Sequence, residues 1–384
     1  MPISKINLTS GITGVLPSAN ATYSTARKNA KPIIINGDMA VAQRSTNATG
    51  LTSSGYKSLD RFYTTLYYSS SNVGTFTQSQ SSDVPTGYGF RNSLKMDCTT
   101  AQTSLPASGQ IVIRYIVEAQ DLNPFKFGTA NAEKMTLSFW VKSNLTGAYN
   151  VSLYNADGGS TPQVNSQYSI SSTNTWEKKV LVFPADTTNG FNDDNGAGLY
   201  IDWVLGTGSD WTGGTAPTSW SSFVNNTYNG GSTINMASST SNEWLITGVQ
   251  LEIGEYTSST LPSFQHESYG DNLLRCQRYY TKVTRGVADT SLCVGRWYNN
   301  NNVAGMFHLP TSMRSTPSLD IVTGTNYYNA SGSSANNYFD DFTFNDAAPL
   351  SIGWYKSGLS GTQGDGIVFM TGNSSASVSF KSEL

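Results

Sequence analysis

Histidine-based catalysis has little to draw on in this chain of 384 residues, which holds only His266 and His308. His266 lies just after a break in pattern at Pro262, and His308 closes the apolar run 303–307 before Pro310. The sequence has no Gly-x-Ser-x-Gly elbow, no His-Glu-x-x-His pair, no phosphate-cradling Walker loop and no Gly-x-Gly-x-x-Gly opening a helix after a strand. Serine triads, zinc hydrolysis and nucleotide chemistry are therefore unsupported. Three cysteines, Cys98, Cys276 and Cys293, form an odd set at wide spacing, which suits neither a disulfide framework nor a zinc site. They read as reduced thiols. Paired carboxylates remain, because a glycosidase needs only two of them across a sugar. Asp60, Asp97, Glu118, Asp202 and Glu252 qualify by strand position, but strand-end solvation, turn hydrogen bonds and ion pairs with neighbours such as Arg61, Arg91 and Arg114 account for them better. The expectation is a protein that is not an enzyme.

Aromatic residues offer binding rather than catalysis. Trp140, Trp203, Trp211, Trp220 and Trp244 fall within one sandwich-sized region. Sugars bind such rings through their C–H faces, beside amide and carboxylate partners. Trp140, Trp203 and Trp244 sit in strand patterns and are expected in the core. Trp211 and Trp220 occupy a Gly/Thr/Ser loop and are the glycan-binding candidates, although loop aromatics also serve subunit interfaces. Hard oxygen donors suited to calcium gather at Asn36-Gly37-Asp38 and at Asn192-Asp193-Asp194-Asn195, the latter equally readable as a solvated loop.

The elements that must hold these residues follow from composition. Charged residues make up 13% of the chain and glycine numbers 36, while Ser, Thr and Asn fill about a third. Helical surfaces need Glu, Lys and Arg, which are scarce here, whereas Thr, Tyr and Val suit pleated sheets and Ser, Asn and Gly suit turns. The fold class is all-β. A net charge of -3 gives no basic footprint for nucleic acid or anionic membrane, and no apolar run reaches bilayer length. Residues 1–10 lack the apolar core of a secretory signal, so synthesis in a cytoplasm is expected.

Along the chain, residues 1–30 show no lasting periodicity and read as an attachment segment, or alternatively as a disordered tail. Residues 31–262 read as an antiparallel β-sandwich. An apolar run at 32–35 meets the Asn36-Gly37-Asp38 turn, 39–44 continues beyond it, and strands follow at 60–67, 89–97, 110–118, 135–142, 149–154, 177–183, 199–205 and 243–252. In Leu137-Ser138-Phe139-Trp140-Val141-Lys142, large apolar groups alternate with polar and aromatic ones, as packed sheets require. Residues 263–281 form a linker with a short helix at 272–280, opened by the Ser268…Asp271 capping pair and striped by Leu273, Cys276 and Tyr280. Residues 282–384 form a smaller β domain, with strands at 292–297, 303–308, 318–323, 339–344, 350–356, 366–370 and 376–381. No repeat of 20 to 50 residues occurs, which argues against a β-helical depolymerase.

Several blocks resemble one family. Ile35-Asn36-Gly37-Asp38-Met39-Ala40-Val41-Ala42-Gln43-Arg44 and Leu59-Asp60-Arg61-Phe62 are similar to the opening of tail-fibre and related virion proteins of tailed bacteriophages. The block 246–254, the stretch Phe264-Gln265-His266-Glu267-Ser268-Tyr269-Gly270-Asp271, then Cys276-Gln277-Arg278-Tyr279-Tyr280 and Met313-Arg314-Ser315-Thr316-Pro317 follow in that family's order, and together the blocks cover roughly residues 33–320. The resemblance implies a jelly-roll domain like carbohydrate-binding modules, a homotrimer within a virion, contact with host cell-surface glycans, and attachment to other virion proteins through residues 1–30. It also implies a structural calcium at Asn36, Asp38 and Glu252, with no other cofactor. It departs from the family at Phe62, where Trp is usual, and across the last hundred residues. The alternatives are a ligand-free virion component, such as a head fibre or tail adaptor, and a polysaccharide depolymerase using two carboxylates.

Overall fold

A computed structural model describes residues 31–69, 71–284, 286–333 and 336–384. The attachment segment expected at 1–30 lies outside the described residues. Twelve strands build the first domain. In chain order they are β1 (Asn47–Leu51), β2 (Gly55–Tyr56), β3 (Phe62–Tyr67), β4 (Thr75–Ser81), β5 (Ser93–Thr100) and β6 (Gln110–Glu118), then β7 (Met135–Ser143), β8 (Gly147–Asn155), β9 (Gln163–Ile170), β10 (Glu177–Phe183), β11 (Ala197–Thr207) and β12 (Glu243–Ile253). One six-stranded sheet runs β1-β4-β5-β12-β7-β10 and the other β2-β3-β6-β11-β8-β9. Every pairing is antiparallel, and the chain crosses repeatedly between the sheets, which makes a jelly-roll sandwich.

Alternation fills the space between the sheets. Leu137, Phe139 and Val141 of β7 face Ile201, Trp203 and Leu205 of β11 across a core that also takes Ile111, Ile113, Tyr149, Val151, Trp244 and Ile246. Trp203 and Trp244 are fully buried, as their strand positions predict. Trp140 is not a core residue, contrary to expectation. It shares the outward side of β7 with Ser138 and Lys142 and is half-buried.

The segment 31–44 is irregular rather than two strands. Asn36 (φ 61°) and Met39 (φ 59°) adopt left-handed backbone, which ends an extended path. The Asn36 carboxamide takes the place of a ladder: its Oδ1 accepts from Val41 N at 2.8 Å, and its Nδ2 donates to Val41 O and Asp60 O at 2.9 and 3.0 Å. Gly37 lies so close to β12 that a Cβ would sit 2.2 Å from the Val249 carbonyl oxygen. The Asn-Gly pair thus docks the segment on the sheet.

After the sandwich comes the helix α1 (Tyr269–Gln277), three residues earlier than its predicted start. Ser268 is its N-cap and accepts from Asp271 N at 3.1 Å, while its hydroxyl donates to the Asp271 carboxylate at 2.6 Å. Cys276 and half-buried Leu273 pack with Ile35, Val41 and Tyr279, so the apolar stripe closes against the 31–44 segment.

The distal domain comprises β13 (Tyr280–Lys282), β14 (Ser291–Asn299), β15 (Asn302–His308), β16 (Ser318–Val322), β17 (Tyr328–Gly332), β18 (Asn336–Phe339), β19 (Thr343–Ala347), β20 (Ser351–Ser357), β21 (Gly366–Thr371) and β22 (Ser377–Lys381). Three of these strands form the sheet β13-β22-β16, and seven form β18-β17-β21-β14-β15-β20-β19. The single strand predicted at 339–344 is two, separated by a turn that buries Phe342 against Tyr328, Trp354 and Phe369. A separate aromatic core, including Trp297, Phe307, Trp354 and Phe380, holds this domain together.

A buried polar joint links the two domains. Arg278 on the distal side makes two 2.8 Å hydrogen bonds to Glu118, and the Tyr279 hydroxyl donates to the same carboxylate. Burial opposes ionisation of Glu118, yet these donors hold its carboxyl below the usual range. The Arg61 guanidinium lies 3.4 Å over the Tyr279 ring, and Arg44 lies 3.6 Å over Tyr280 while pairing with Glu383. Arg314 donates to the carbonyls of Asn195, Ser382 and Glu383.

Candidate functional site

An open cleft of about 480 Å³ lies on the outward face of the sheet that contains β7, β10 and β12. Its wall begins with Trp140. Tyr88 stands beside it with 55% of its surface exposed, and the two ring centroids are 4.3 Å apart at 48°. Opposite lies a second aromatic group, in which Phe90, Phe264 and His266 contact one another at 4.8–5.2 Å. Lys178 pairs in register with Trp140 across β10 and β7 and lines the cleft with Ser138 and Gln250. The Gln250 side chain donates to Glu252 Oε1 and Pro262 O, both at 3.0 Å, which fixes the floor.

Local backbone makes this cleft. The β12–β7 register shifts between Thr247 and Gln250, and Gly248 sits in that bulge at φ 63°. A Cβ there would lie 2.6 Å from the Phe90 ring and 3.1 Å from Trp140, so only glycine lets both rings close on the strand.

The predicted glycan residues lie elsewhere, and both are half-buried. Trp211 donates its indole N–H to Ser108 O at 3.0 Å and packs edge-on against Tyr228. Trp220 donates to Pro184 O at 2.7 Å and packs edge-on against Phe127 at the margin of the core. The loop that carries them lies over the outer face of the second sheet. There the buried Tyr228 hydroxyl donates to Asp202 at 2.6 Å, and Asn229 accepts from Asn150 at 3.0 Å. Beside this cover, Tyr154 and Tyr200 stack at 4.4 Å with Arg114 over both rings.

The five carboxylates do not converge on a shared cleft. Asp60 accepts from Gln43 twice and is buried, which pushes its pKa up. Asp97 pairs with Lys95 at 2.9 Å. Asp202 holds Arg114 through two 2.7 Å bonds, Glu118 belongs to the joint, and Glu252 accepts from Gln250. Arg91 and Arg61 pair with none of them, in contrast to Arg114.

The residues matched to a structural calcium, Asn36, Asp38 and Glu252, each have protein partners here. The Asn36 carboxamide is spent on the turn, Asp38 accepts from Asn272 at 3.1 Å, and Glu252 faces Gln250. At 192–195, Asp193 accepts from Asn123 and Asp194 from Gly196, as in an ordinary loop. Among the described residues no three His, Cys, Asp or Glu side chains gather into a metal site. The three cysteines are free, and burial raises the thiol pKa of Cys276 well above its usual value and that of Cys293 to about 12.

Sequence reasoning missed Tyr88, Trp140, Lys178 and His266. The alternation of β7 carries the signal for Trp140, since Ser138 and Lys142 mark its face as the outward one.

The site and fold define a two-domain β protein whose jelly-roll carries an aromatic cleft. No protein-family model matches the chain. No curated protein matches it either. Among solved structures it is similar to the enzymatically active domain of bacteriophage CBA120 tailspike protein 4, with 13% identity over 58% of this chain and a TM-score of 0.29. The chain spans about a fifth of that domain, 21%. It is also similar to a putative sugar binding protein of Bacteroides thetaiotaomicron (13% identity, 58% of this chain and 100% of that one, TM-score 0.32). A third likeness is to the CBM22-1 xylan-binding domain of Paenibacillus barcinonensis Xyn10C (9%, 56% and 100%, TM-score 0.26). Likenesses this slight do not bear on function.

Proposed function

We propose that this chain is a non-catalytic, glycan-binding component of a bacteriophage virion, of the tail-fibre type, which works as a homotrimer and contacts host surface glycans. The observation that carries the glycan reading is the cleft wall of exposed Tyr88 and half-buried Trp140, a ring pair beside amide, hydroxyl and ammonium groups. A pyranose laid on such a wall covers its C–H face while its hydroxyls reach the polar side. The commitment of each candidate carboxylate to a partner supports binding without hydrolysis. The virion assignment, and attachment through residues 1–30, rest on the order of the resembling blocks. Exposed Val294 (72%), Tyr298, Met306 and Val322 on the distal sheets support burial between subunits.

Binding to a panel of bacterial surface polysaccharides tests the reading. Trp140→Ala is expected to abolish retention, while Trp211→Ala and Trp220→Ala, once folded, retain it. Equal binding by Trp140→Ala and the parent would overturn the site. Release of oligosaccharides during incubation would overturn the non-catalytic assignment, and a stable monomer by light scattering would overturn the trimer.

A further inference from the structure

We infer that the cleft of Tyr88 and Trp140 selects acidic saccharides, with Lys178 receiving a carboxylate or phosphate substituent of a sugar stacked on the ring wall. The inference rests on the glycan reading of the same cleft and adds the charge class of its ligand.

Neighbouring cations on this face of the sheet are already neutralised. Lys142 pairs with Asp83 at 2.5 Å and Lys95 with Asp97 and Glu243 at 2.9 and 2.8 Å, while Lys179, on the opposite side of β10, pairs with Glu177 at 2.6 Å. Asp83 is further taken up by the Trp176 indole at 2.9 Å. Lys178 alone of this group has no acidic partner among the described residues, and no Asp or Glu lines the cleft. Lys178 is exposed on β10, so its ammonium is open to an anion arriving from solution.

Position strengthens the case. Lys178 and Trp140 are cross-strand partners, so their Cβ atoms stand about 5 Å apart. A ring on Trp140 therefore places its substituents within reach of the ammonium, which lies over no aromatic ring among the described residues and keeps its three donors for a ligand. The other polar groups here, Ser138 and Gln250, suit hydroxyls.

The test is a binding panel for the full chain. It contains uronate-bearing oligosaccharides, phosphate-substituted oligosaccharides, and the same uronates after carboxyl reduction. Acidic members should bind, and carboxyl reduction or Lys178→Ala should each weaken uronate binding about tenfold. Raising salt from 50 to 500 mM should weaken it also, and Lys178→Arg should retain most of it. The uronate and phosphate arms identify which substituent is taken. Equal binding of acidic and reduced members, with Lys178→Ala unchanged and Trp140→Ala defective, would overturn the acidic preference and leave glycan binding standing. No retention of any saccharide by the parent would overturn both.

Discussion

Gly248 is the residue on which the cleft most depends. Its left-handed backbone and the 2.6 Å approach of the Phe90 ring leave no room for a side chain. Gly248→Ala should cost about 2–5 kcal/mol, from backbone strain and overpacking together. Chemical denaturation should show a lowered midpoint at constant slope, with weakened saccharide retention in the fraction still folded. Unchanged stability would mean that β12 can shift without loss. At this scale the sequence was partly legible. Trp203 and Trp244 were readable as core from their strands. Trp140 was misplaced because tryptophan content outweighed the alternation that put it beside Ser138 and Lys142. Tyr88 carries no periodic signal, since its exposure comes from a loop flanked by Gly87 and Gly89. Trp211 and Trp220 looked free for the same reason that Tyr88 was overlooked: a loop sequence does not reveal which carbonyl its indole will meet.

Strands are more legible than their connections. The limits predicted at 110–118 and 177–183 match β6 and β10, because alternation and flanking turns coincide there. β4 and β9, rich in Ser and Gln, carry no clear apolar pattern, since Gln78, Gln163 and Asn165 are among the residues they bury. The 32–44 segment misled in the opposite direction: its isoleucines are buried by docking on β12, with an Asn side chain replacing a partner strand. For α1, the capping signal was sound although the limits moved. Ser268→Ala removes the acceptor for Asp271 N and should cost about 1 kcal/mol. A drop of several degrees in the melting temperature would place more than helix capping on Ser268, whereas no drop would show that α1 is held by packing alone.

For the whole molecule, several residues of the blocks that resemble one family lie at the joint. Arg61, Arg278, Tyr279 and Arg314 hold the domains to each other, so they report architecture more than ligand. Glu383 gives the joint a pH dependence. Burial pushes its carboxyl up to about 7, against the pull of Arg44. An acid whose folded pKa exceeds its unfolded value favours the folded state below about pH 4, and that contribution fades as pH rises through 7. Melting scans should show stability declining between about pH 4 and 7, and Glu383→Gln should flatten that decline. An unchanged slope in the variant would assign the effect to other groups, such as Asp60. Removing Glu118 acts differently: Glu118→Ala leaves Arg278 and Tyr279 without their acceptor and should cost about 3–5 kcal/mol, read as earlier melting of the joint.

The same joint governs how the protein bears load. Guanidinium groups lie against tyrosine rings on both sides of it, and a carboxylate is clamped by three donors, so no short flexible linker separates the sandwich from the distal sheets. A pull applied at the distal end should then arrive at the aromatic cleft as torque on a single lever arm, and a ligand held there would feel leverage set by the span of both domains.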